Sequence, residues 1–257
     1  RVALIAELPK GSSRKAREAE ILYRLMRQHK GDFPKREMCR MWREMIVATL
    51  SMEGPFSMAI CASEANSGLW DLARDQYGSY TPILECGGER QVIDAVASQD
   101  ATVGILSLPR QKDLDPWWRH LMNGDQNAPP DAPKVIARLP FAGAGNSRGG
   151  DAEGLVISPV VQRSAKGIPH HSYFAIEAQE ELPPDFLGAA LSKGGATLFS
   201  SISWRDANSS GPWLYLVETG EFTTDLRASA PMTRVTGLGG YALPLSEEEL
   251  DAHGEDA

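Results

Sequence analysis

The segment 34–53 places two polar side chains where an amphipathic helix should be apolar. Its apolar residues recur at helical spacing and are Met38, Met41, Trp42, Met45, Ile46 and Met52. Thr49 and Glu53 share that stripe, one helical turn apart, so both are expected to face the interior. Because a buried carboxylate is costly unless it is paired or protonated, the pattern predicts a partner or a ligand for Glu53.

A preceding segment, 14–30, is also predicted to be an amphipathic helix and supplies candidate partners. Its apolar stripe consists of Ile21, Leu22, Leu25 and Met26. Glu18 lies on this stripe, and Arg17 stands at its edge. Both helices would thus direct polar side chains inward. Such residues suit a site for an anionic ligand or a structural ion pair, and the pattern alone leaves both interpretations open.

The order of these residues resembles the all-helical bacterial chorismate mutase over roughly the first fifth of the chain. The matching stretches are Arg1-x-x-Leu4-Ile5-x-x-Leu8, Arg17-Glu18-x-x-Ile21-Leu22-x-x-Leu25 and Ile46-x-x-Thr49-x-x-x-Glu53. The resemblance implies that Arg1 and Arg17 bind the substrate carboxylates and that Glu18 hydrogen-bonds the ring hydroxyl. It also places Thr49 where the family has serine, and Glu53 where bacterial members have a glutamine facing the ether oxygen.

The chain departs from that family at its lysine, which is Ser12 here, with Lys10 as a nearby substitute. The family's first helix begins further upstream and brings another arginine across a dimer interface, whereas this sequence starts within that helix. The apolar faces of the short helices imply a homodimer with exchanged helices. The implied reaction rearranges chorismate to prephenate, needs no cofactor or metal, and relies on orientation and electrostatic stabilisation.

The composition limits other classes of function. A length of 257 residues with 42% hydrophobic and 23% charged residues is ordinary for a globular protein. A net charge of -8 argues against a nucleic-acid partner, and the chain shows neither a membrane-spanning apolar run nor a signal peptide. Cys39, Cys61 and Cys86 lack metal-ligand spacing, which favours reduced thiols and a cytoplasmic location. The pair of His170 and His171 favours a strand edge over a metal site.

After Gly54-Pro55 the pattern changes to alternating strands and helices. The expected elements are strands at 57–61, 82–86, 101–108, 134–139 and 154–158, helices at 69–77 and 89–98, and an amphipathic segment at 116–122. This alternation predicts a small α/β unit with a mainly parallel sheet.

This middle region resembles the first lobe of prephenate dehydratase. The matching stretches are Leu72-Ala73-Arg74-Asp75-Gln76-Tyr77, the Ala95-Val96 helix and Ala101-Thr102-Val103-Gly104-Ile105-Leu106-Ser107-Leu108-Pro109. The family's Pro-Ile-Glu-Asn is Ser107-Leu108-Pro109-Arg110 here, and its Thr-Arg-Phe is Ser147-Arg148-Gly149. Ser107, Ser147 and Arg148 are therefore expected to form a remnant site without dehydratase activity. The glycine-rich run 143–150 around Arg148 suits either a surface loop or an anion cradle of backbone amides.

The C-terminal region predicts a third unit with βαββαβ order. Its expected elements are strands at 172–177, 197–204, 213–217 and 240–242, a helix at 184–193 and a short helix near Leu226. It resembles the ACT regulatory domain that follows prephenate dehydratase, with Trp213-x-Tyr215 and Leu238-Gly239-Gly240-Tyr241 at the motif positions. The family's Glu-Ser-Arg-Pro is Ser203-Trp204-Arg205-Asp206 here, which makes Arg205 a candidate effector residue.

Together these patterns predict an α+β multidomain fold. Its parts would be a helical chorismate-mutase-like domain (1–53), a prephenate-dehydratase-like α/β domain (54–165), an ACT-like domain (166–245) and an acidic solvated tail (246–257). The predicted function is chorismate mutase in phenylalanine biosynthesis, with chorismate as substrate and an aromatic amino acid as a candidate effector. Two alternatives remain open: a non-catalytic metabolite-sensing or partner-binding protein of the same pathway, and a prephenate dehydratase.

Overall fold

The computed structural model describes residues 14–61, 67–122, 132–143, 152–159, 167–183, 185–206, 211–221, 223, 226 and 228–251. The helices are α1 (Arg14–Gln28), α2 (Lys35–Glu53), α3 (Ser67–Tyr77), α4 (Glu89–Ala97), a 3₁₀ helix (Trp117–Leu121), α5 (Phe186–Lys193) and α6 (Glu247–Asp251). The strands are β1 (Met58–Cys61), β2 (Ile83–Cys86), β3 (Val103–Ser107), β4 (Lys134–Leu139), β5 (Gly154–Ser158), β6 (His170–Ala178), β7 (Leu198–Trp204), β8 (Trp213–Thr219) and β9 (Met232–Ala242).

Within the described residues, nine strands form one mixed sheet in the order β2-β1-β3-β5-β4-β9-β6-β8-β7. β1 pairs in parallel with β2 and β3, as the alternating pattern predicted, whereas β5, β6, β7 and β8 pair antiparallel with their neighbours. The two halves of the sheet meet where Val135 of β4 pairs in parallel with Gly239 of β9. Gly239 has a φ of 103°, and a Cβ there would lie 2.3 Å from the Val135 carbonyl oxygen, so only glycine fits this junction.

Hydrophobic clusters cover both faces of the sheet. On one face, α4 and the 3₁₀ helix pack through Val92, Val96, Trp117 and Trp118. On the other face lie α1, α2, α3 and α5, because alternate strand residues such as Ile60, Val156 and Ile176 point to that side. The α1–α2 pair therefore belongs to the same layered core as the sheet.

The predicted fold class, led by an all-helical N-terminal domain, is wrong. Ala19 and Leu22 of α1 and Cys39 of α2 pack with Phe141 and Ala242, which flank or belong to the sheet. The Tyr23 hydroxyl also donates to the Leu243 carbonyl at 2.8 Å. The apolar stripes of α1 and α2, which suggested a self-contained helical unit, are thus buried against the sheet. The domain ranges drawn from the sequence stay predictions.

The C-terminal part differs from the predicted βαββαβ order. The sequence β6-α5-β7-β8 is confirmed, but Leu226, near which a second helix was expected, lies outside any helix. The described part of the expected acidic tail forms α6, whose Ser246 cap accepts from the Glu249 amide at 3.2 Å. No helix among the described residues is long and apolar enough to cross a membrane. Cys39, Cys61 and Cys86 are free and buried.

Candidate functional site

The buried face of α2 is centred on Arg43. Cys39, Arg43 and Val47 follow one another at four-residue spacing and are buried. Three methionines of the expected stripe are exposed instead, namely Met41 (57%), Met45 (45%) and Met52 (88%). The charge that this helix directs inward is therefore a cation.

Arg43 is the buried cation of α2. It is 7% exposed, and neither its Nε nor its Nη2 has a hydrogen-bond partner among the described residues. The guanidinium carbon lies 5.8 Å from the centre of the Phe141 ring, a cation–π distance. Burial lowers the pKa of Arg43, and the charges of Glu18, Cys39, Asp75 and Tyr77 oppose that shift. Because arginine stays protonated at neutral pH, the fold buries a cation whose desolvation is only partly offset.

Arg43 lines a cavity of about 180 Å³ between α2, α3 and the segment that follows β4. Arg36 and Arg40 line the same space, because residues three and four apart share one face of a helix. Asp75 and Gln76 of α3 complete the polar wall, and apolar residues such as Leu139 cover the rest. An apolar cavity of about 150 Å³ already holds a benzene ring, so the space suits a small ring-sized molecule.

Gln76 forms the inner wall of this cavity. Its Nε2 donates to Glu18 Oε1 at 2.9 Å, so Glu18 does face inward as expected. Its Oε1 is buried and has no hydrogen-bond partner in the part of the chain that the structure describes. Beyond Gln76, a smaller pocket of about 20 Å³ is lined by Glu18, Leu22 and Phe141. The cavity wall therefore combines three arginines with the side chains of Asp75 and Gln76.

The acidic helix α6 lies against the same end of α2. Arg36 donates to Glu247, and its Nη2 lies 3.6 Å from Asp251 Oδ1. Lys35 Nζ also donates to the Glu249 carbonyl at 2.9 Å. These surface contacts occupy one of the arginines that line the cavity.

A second polar cluster is buried on the opposite face of the sheet, around Glu218 of β8. Its carboxylate accepts from the Tyr241 hydroxyl and from Ser200 Oγ at 2.8 Å, and it lies 2.8 Å from His171 Nδ1. Arg138 Nη1 donates to the Tyr241 hydroxyl at 3.2 Å. Burial opposes ionisation of Glu218, but hydrogen bonds from Tyr241, His171 and Ser200 outweigh it and hold its pKa below the ordinary value.

A third polar contact lies at the carboxyl end of β3. The Ser107 hydroxyl donates to Glu89 in the first turn of α4, and Trp117 Nε1 donates to the Ser107 carbonyl at 3.0 Å. Burial raises the pKa of Glu89, against the opposing effect of the Ser107 hydrogen bonds. Ligands of open α/β sheets commonly bind beyond the carboxyl ends of parallel strands, which is where this pair lies.

The comparisons with known proteins are structural. No protein-family model and no curated protein sequence matches the chain. The prephenate dehydratase of Arthrobacter aurescens, solved in complex with L-Phe, matches with a TM-score of 0.51 and 10% identity over 77% of this chain and 95% of that chain. The prephenate dehydratase of Streptococcus mutans matches with a TM-score of 0.48 and 14% identity over 74% of this chain and 100% of that chain. GqqA, a quorum quenching acylase, matches with a TM-score of 0.47 and 13% identity over 76% of this chain and 98% of that chain.

The chain has a prephenate-dehydratase-like fold. The resemblance that the middle region suggested is thus confirmed at the level of fold. The match to the Arthrobacter aurescens enzyme does not show the chorismate mutase resemblance of the first fifth.

On this prephenate-dehydratase-like fold, the residues expected to do chemistry are spread apart. Thr49 donates to the Met45 carbonyl of its own helix at 2.8 Å. Ser107 contacts Glu89 of α4, a helix that packs on the opposite face of the sheet from the Arg43 cavity. Arg205 donates to the Gly211 carbonyl at 3.2 Å and lies 5.4 Å from the centre of the Trp213 ring.

Several expected site residues lie outside the described part of the chain. They are Arg1, Lys10, Ser12, Ser147 and Arg148, together with the side chains of Arg17 and Glu53. Their roles stay predictions. No group of three or more His, Cys, Asp or Glu side chains within the described residues could hold a metal ion.

Sequence analysis missed Arg43, Gln76 and Glu218. The spacing of Arg36, Arg40 and Arg43 was a usable signal, because three cations on one helix face form an anion-binding surface when that face is covered. Gln76 lies within a stretch that resembles prephenate dehydratase, but the sequence predicted no chemical role for it. Glu218 lies in an apolar strand, where an isolated carboxylate indicates a buried hydrogen-bonding partner.

Proposed function

We propose that this protein binds a small carboxylate-bearing metabolite in the Arg43 cavity. The observation that carries the proposal is the Arg43 guanidinium, which is buried and lines a cavity of about 180 Å³ together with two further arginines. Guanidinium and carboxylate form paired, charge-assisted hydrogen bonds, which would offset the desolvation of this cation. Arg36 and Arg40 on the same wall add to the attraction for an anion.

The size and lining of the cavity narrow the metabolite to a compact ring-bearing acid. Apolar side chains such as Leu72 and Leu139 line the part away from the arginines. The similar fold of Arthrobacter aurescens prephenate dehydratase, which was solved with L-Phe, makes acids of phenylalanine biosynthesis the first ligands to test. This proposal follows the metabolite-sensing alternative that the sequence left open.

Chorismate mutase activity loses its main basis. It depended on an all-helical domain whose inward face carried Thr49 and Glu53, whereas α1 and α2 pack on the sheet and Thr49 bonds within its own helix. The inward cation, Arg43, was not part of that expectation.

Calorimetric titration with prephenate, chorismate, phenylpyruvate and L-phenylalanine tests the proposal. We expect at least one of these acids to bind, and Arg43→Met to weaken its binding by about 100-fold, because a paired, desolvated charge is lost. The matched control is Arg24→Met, since Arg24 is an exposed arginine of the neighbouring helix α1. Binding that survives Arg43→Met, or that falls equally in Arg24→Met, would exclude the Arg43 cavity as the site.

A second candidate function is acid catalysis of prephenate dehydration at Glu89. The observation that favours it is the Ser107–Glu89 contact, which places a carboxyl of raised pKa at the carboxyl end of β3. Loss of water and carbon dioxide from prephenate needs a proton donor for the departing hydroxyl. Phenylpyruvate formation from prephenate should then fall by at least about 100-fold in Glu89→Gln. The exposed Glu85 supplies the control variant Glu85→Gln, which should keep full activity.

A further inference from the structure

Two cysteines that are far apart in the chain lie side by side on neighbouring strands. Cys61 ends β1 and Cys86 ends β2, and the parallel register of these strands makes the two residues direct partners. Both are free thiols, and each residue is 6% exposed. We propose that Cys61 and Cys86 form a site of reversible oxidation, at which hydrogen peroxide converts the two thiols to a disulfide.

Both thiols lie on the same face of the sheet. In β1, Met58 and Ile60 pack with α3, whereas Cys61 packs on the opposite face in the hydrophobic cluster that contains α4. Cys86 belongs to the same cluster as Cys61. Burial raises the pKa of the Cys86 thiol, and the charge of Cys61 raises it further, so the two sulfur atoms are near enough to affect each other's ionisation.

The spacing of paired strand residues suits a disulfide. Neighbouring strands lie about 4.8 Å apart, and disulfides join Cα atoms that are about 4.4–6.8 Å apart. Within the described residues, β2 is the end strand of the sheet and pairs with β1 alone, so a small shift of β2 toward β1 disturbs no other strand. The bond can therefore form without rearrangement of the sheet.

The oxidation balances with one molecule of hydrogen peroxide, which is small enough to reach thiols with little exposure. The first sulfur attacks the peroxide, so that an S–O bond forms, the O–O bond breaks and water leaves. The second sulfur attacks the resulting sulfenic acid, so that the S–S bond forms, the S–O bond breaks and a second water leaves. The two sulfurs together lose two electrons, which the peroxide gains, and both thiol protons end in the two waters.

Mass spectrometry of the full chain tests the proposal. The reduced protein is treated with hydrogen peroxide under native conditions, and its remaining thiols are then alkylated in denaturant. We expect one alkylated cysteine in place of three, and a proteolytic peptide pair joined through Cys61 and Cys86. Dithiothreitol should restore all three thiols, because a disulfide is reduced by thiol exchange.

Variants distinguish a paired site from general oxidation. Cys61→Ser and Cys86→Ser each leave one thiol at the site, which should stop at the sulfenic acid and be trapped by dimedone. The control is Cys39→Ser, because Cys39 of α2 is 0% exposed and packs on the opposite face of the sheet. This control should form the disulfide as readily as the unmodified protein. The experiment on the unmodified protein needs no variant, so it remains decisive even if a variant does not fold.

Three results would contradict the proposal. If all three cysteines are alkylated after peroxide treatment, the pair does not respond to the oxidant. If Cys61 and Cys86 are found separately as sulfinic or sulfonic acids, they do not protect each other by forming a bond. If either is joined to Cys39 or to a second chain, the strand register does not direct the oxidation. None of these results depends on a ligand in the Arg43 cavity, so the proposed function is tested separately.

Discussion

Two buried polar clusters on opposite faces of one sheet differ in how their charges are satisfied. The Glu218 carboxylate on the first face contacts three side chains from three other strands. The Arg43 guanidinium on the second face has two nitrogens without a partner among the described residues. A charge whose partners are all supplied by the fold is compensated within that fold, whereas a partly unsatisfied charge leaves a desolvation cost.

The difference follows from where each cluster is built. The Glu218 cluster lies on the consecutive strands β8, β6 and β9. The register of β6 with its two neighbours brings Glu218, His171 and Tyr241 together, and no helix has to be positioned for this. Arg43 instead lies between a helix and the segment after β4, where irregular packing leaves a cavity. Strand pairing therefore closes the first cluster, and helix packing leaves the second one open.

The largest expected effect is the loss of stability in Glu218→Leu. This change leaves His171 and Tyr241 buried without their shared acceptor, and breaking such a network costs about 3–5 kcal/mol. Urea unfolding at pH 7 measures it. Glu180→Gln, on an exposed bend, is the control and should change stability by less than about 0.5 kcal/mol. Ligand binding by a folded Glu218 variant should stay unchanged, and a loss of binding would mean that the two clusters are coupled.

The stabilising effect of Glu218 should also depend on pH. Its pKa is held below the ordinary value of 4.5 in the folded protein, so its ionised form favours folding. The contribution is fully present above the unfolded-state pKa and is lost as the pH falls through the folded-state pKa. The difference in unfolding free energy between the unmodified protein and Glu218→Gln should therefore shrink as the pH falls from about 5 to about 4 and below. A difference that grows on acidification would contradict the assigned hydrogen bonds.

Arg43→Met should act in the opposite direction on stability. Removing a buried cation whose Nε and Nη2 have no partner among the described residues, and filling its place with an apolar chain, is expected to leave stability unchanged or to raise it by about 1 kcal/mol. The same urea unfolding experiment measures this change. A loss of more than about 2 kcal/mol would show that the fold itself satisfies Arg43, as it does Glu218, and would remove the contrast between the two clusters.

The sequence predicted most of the helices and strands because those depend on local patterns. The strands β1 to β3 and the helices between them lie close to their expected positions, since short apolar runs and turn residues mark their ends. The joining of β4 to β9 was not predicted, because Val135 and Gly239 are far apart in the chain and their pairing depends on the whole sheet. An all-helical unit was inferred where α1 and α2 in fact complete the layer over that sheet.

The candidate site was harder to predict than the fold. On α2 the methionines at 41, 45 and 52 form as regular an apolar stripe as the buried residues do. The inward face is decided by Phe141 and Leu139, which come from a distant strand and the residues after it. Arginines are rarely buried, so the sequence pattern did not mark Arg43 as an interior residue. Glu18 was placed inward correctly because it lies within the apolar stripe of α1.

The smallest expected effect concerns the partners of Arg36. Glu247 and Asp251 of α6 hold this arginine at the cavity wall, and their side chains are 61% and 69% exposed. Replacing both in Glu247→Gln with Asp251→Asn removes two negative charges beside the cavity and frees Arg36 for an incoming anion. Because exposed ion pairs contribute only about 0.2–1 kcal/mol, carboxylate binding should tighten by roughly two- to fivefold.

Titration calorimetry at low and high salt checks this effect, since added salt screens exposed charges and should reduce the gain. Glu248→Gln is the control, because Glu248 lies on the same acidic helix but has no contact with Arg36 among the described ion pairs. If the double variant binds more weakly than the unmodified protein, α6 positions Arg36 for the ligand rather than competing with it. In that case the ion pairs between Arg36 and α6 would contribute to ligand binding in the Arg43 cavity. The contrast between the two clusters would then be weaker, because contacts within the protein would support both of them.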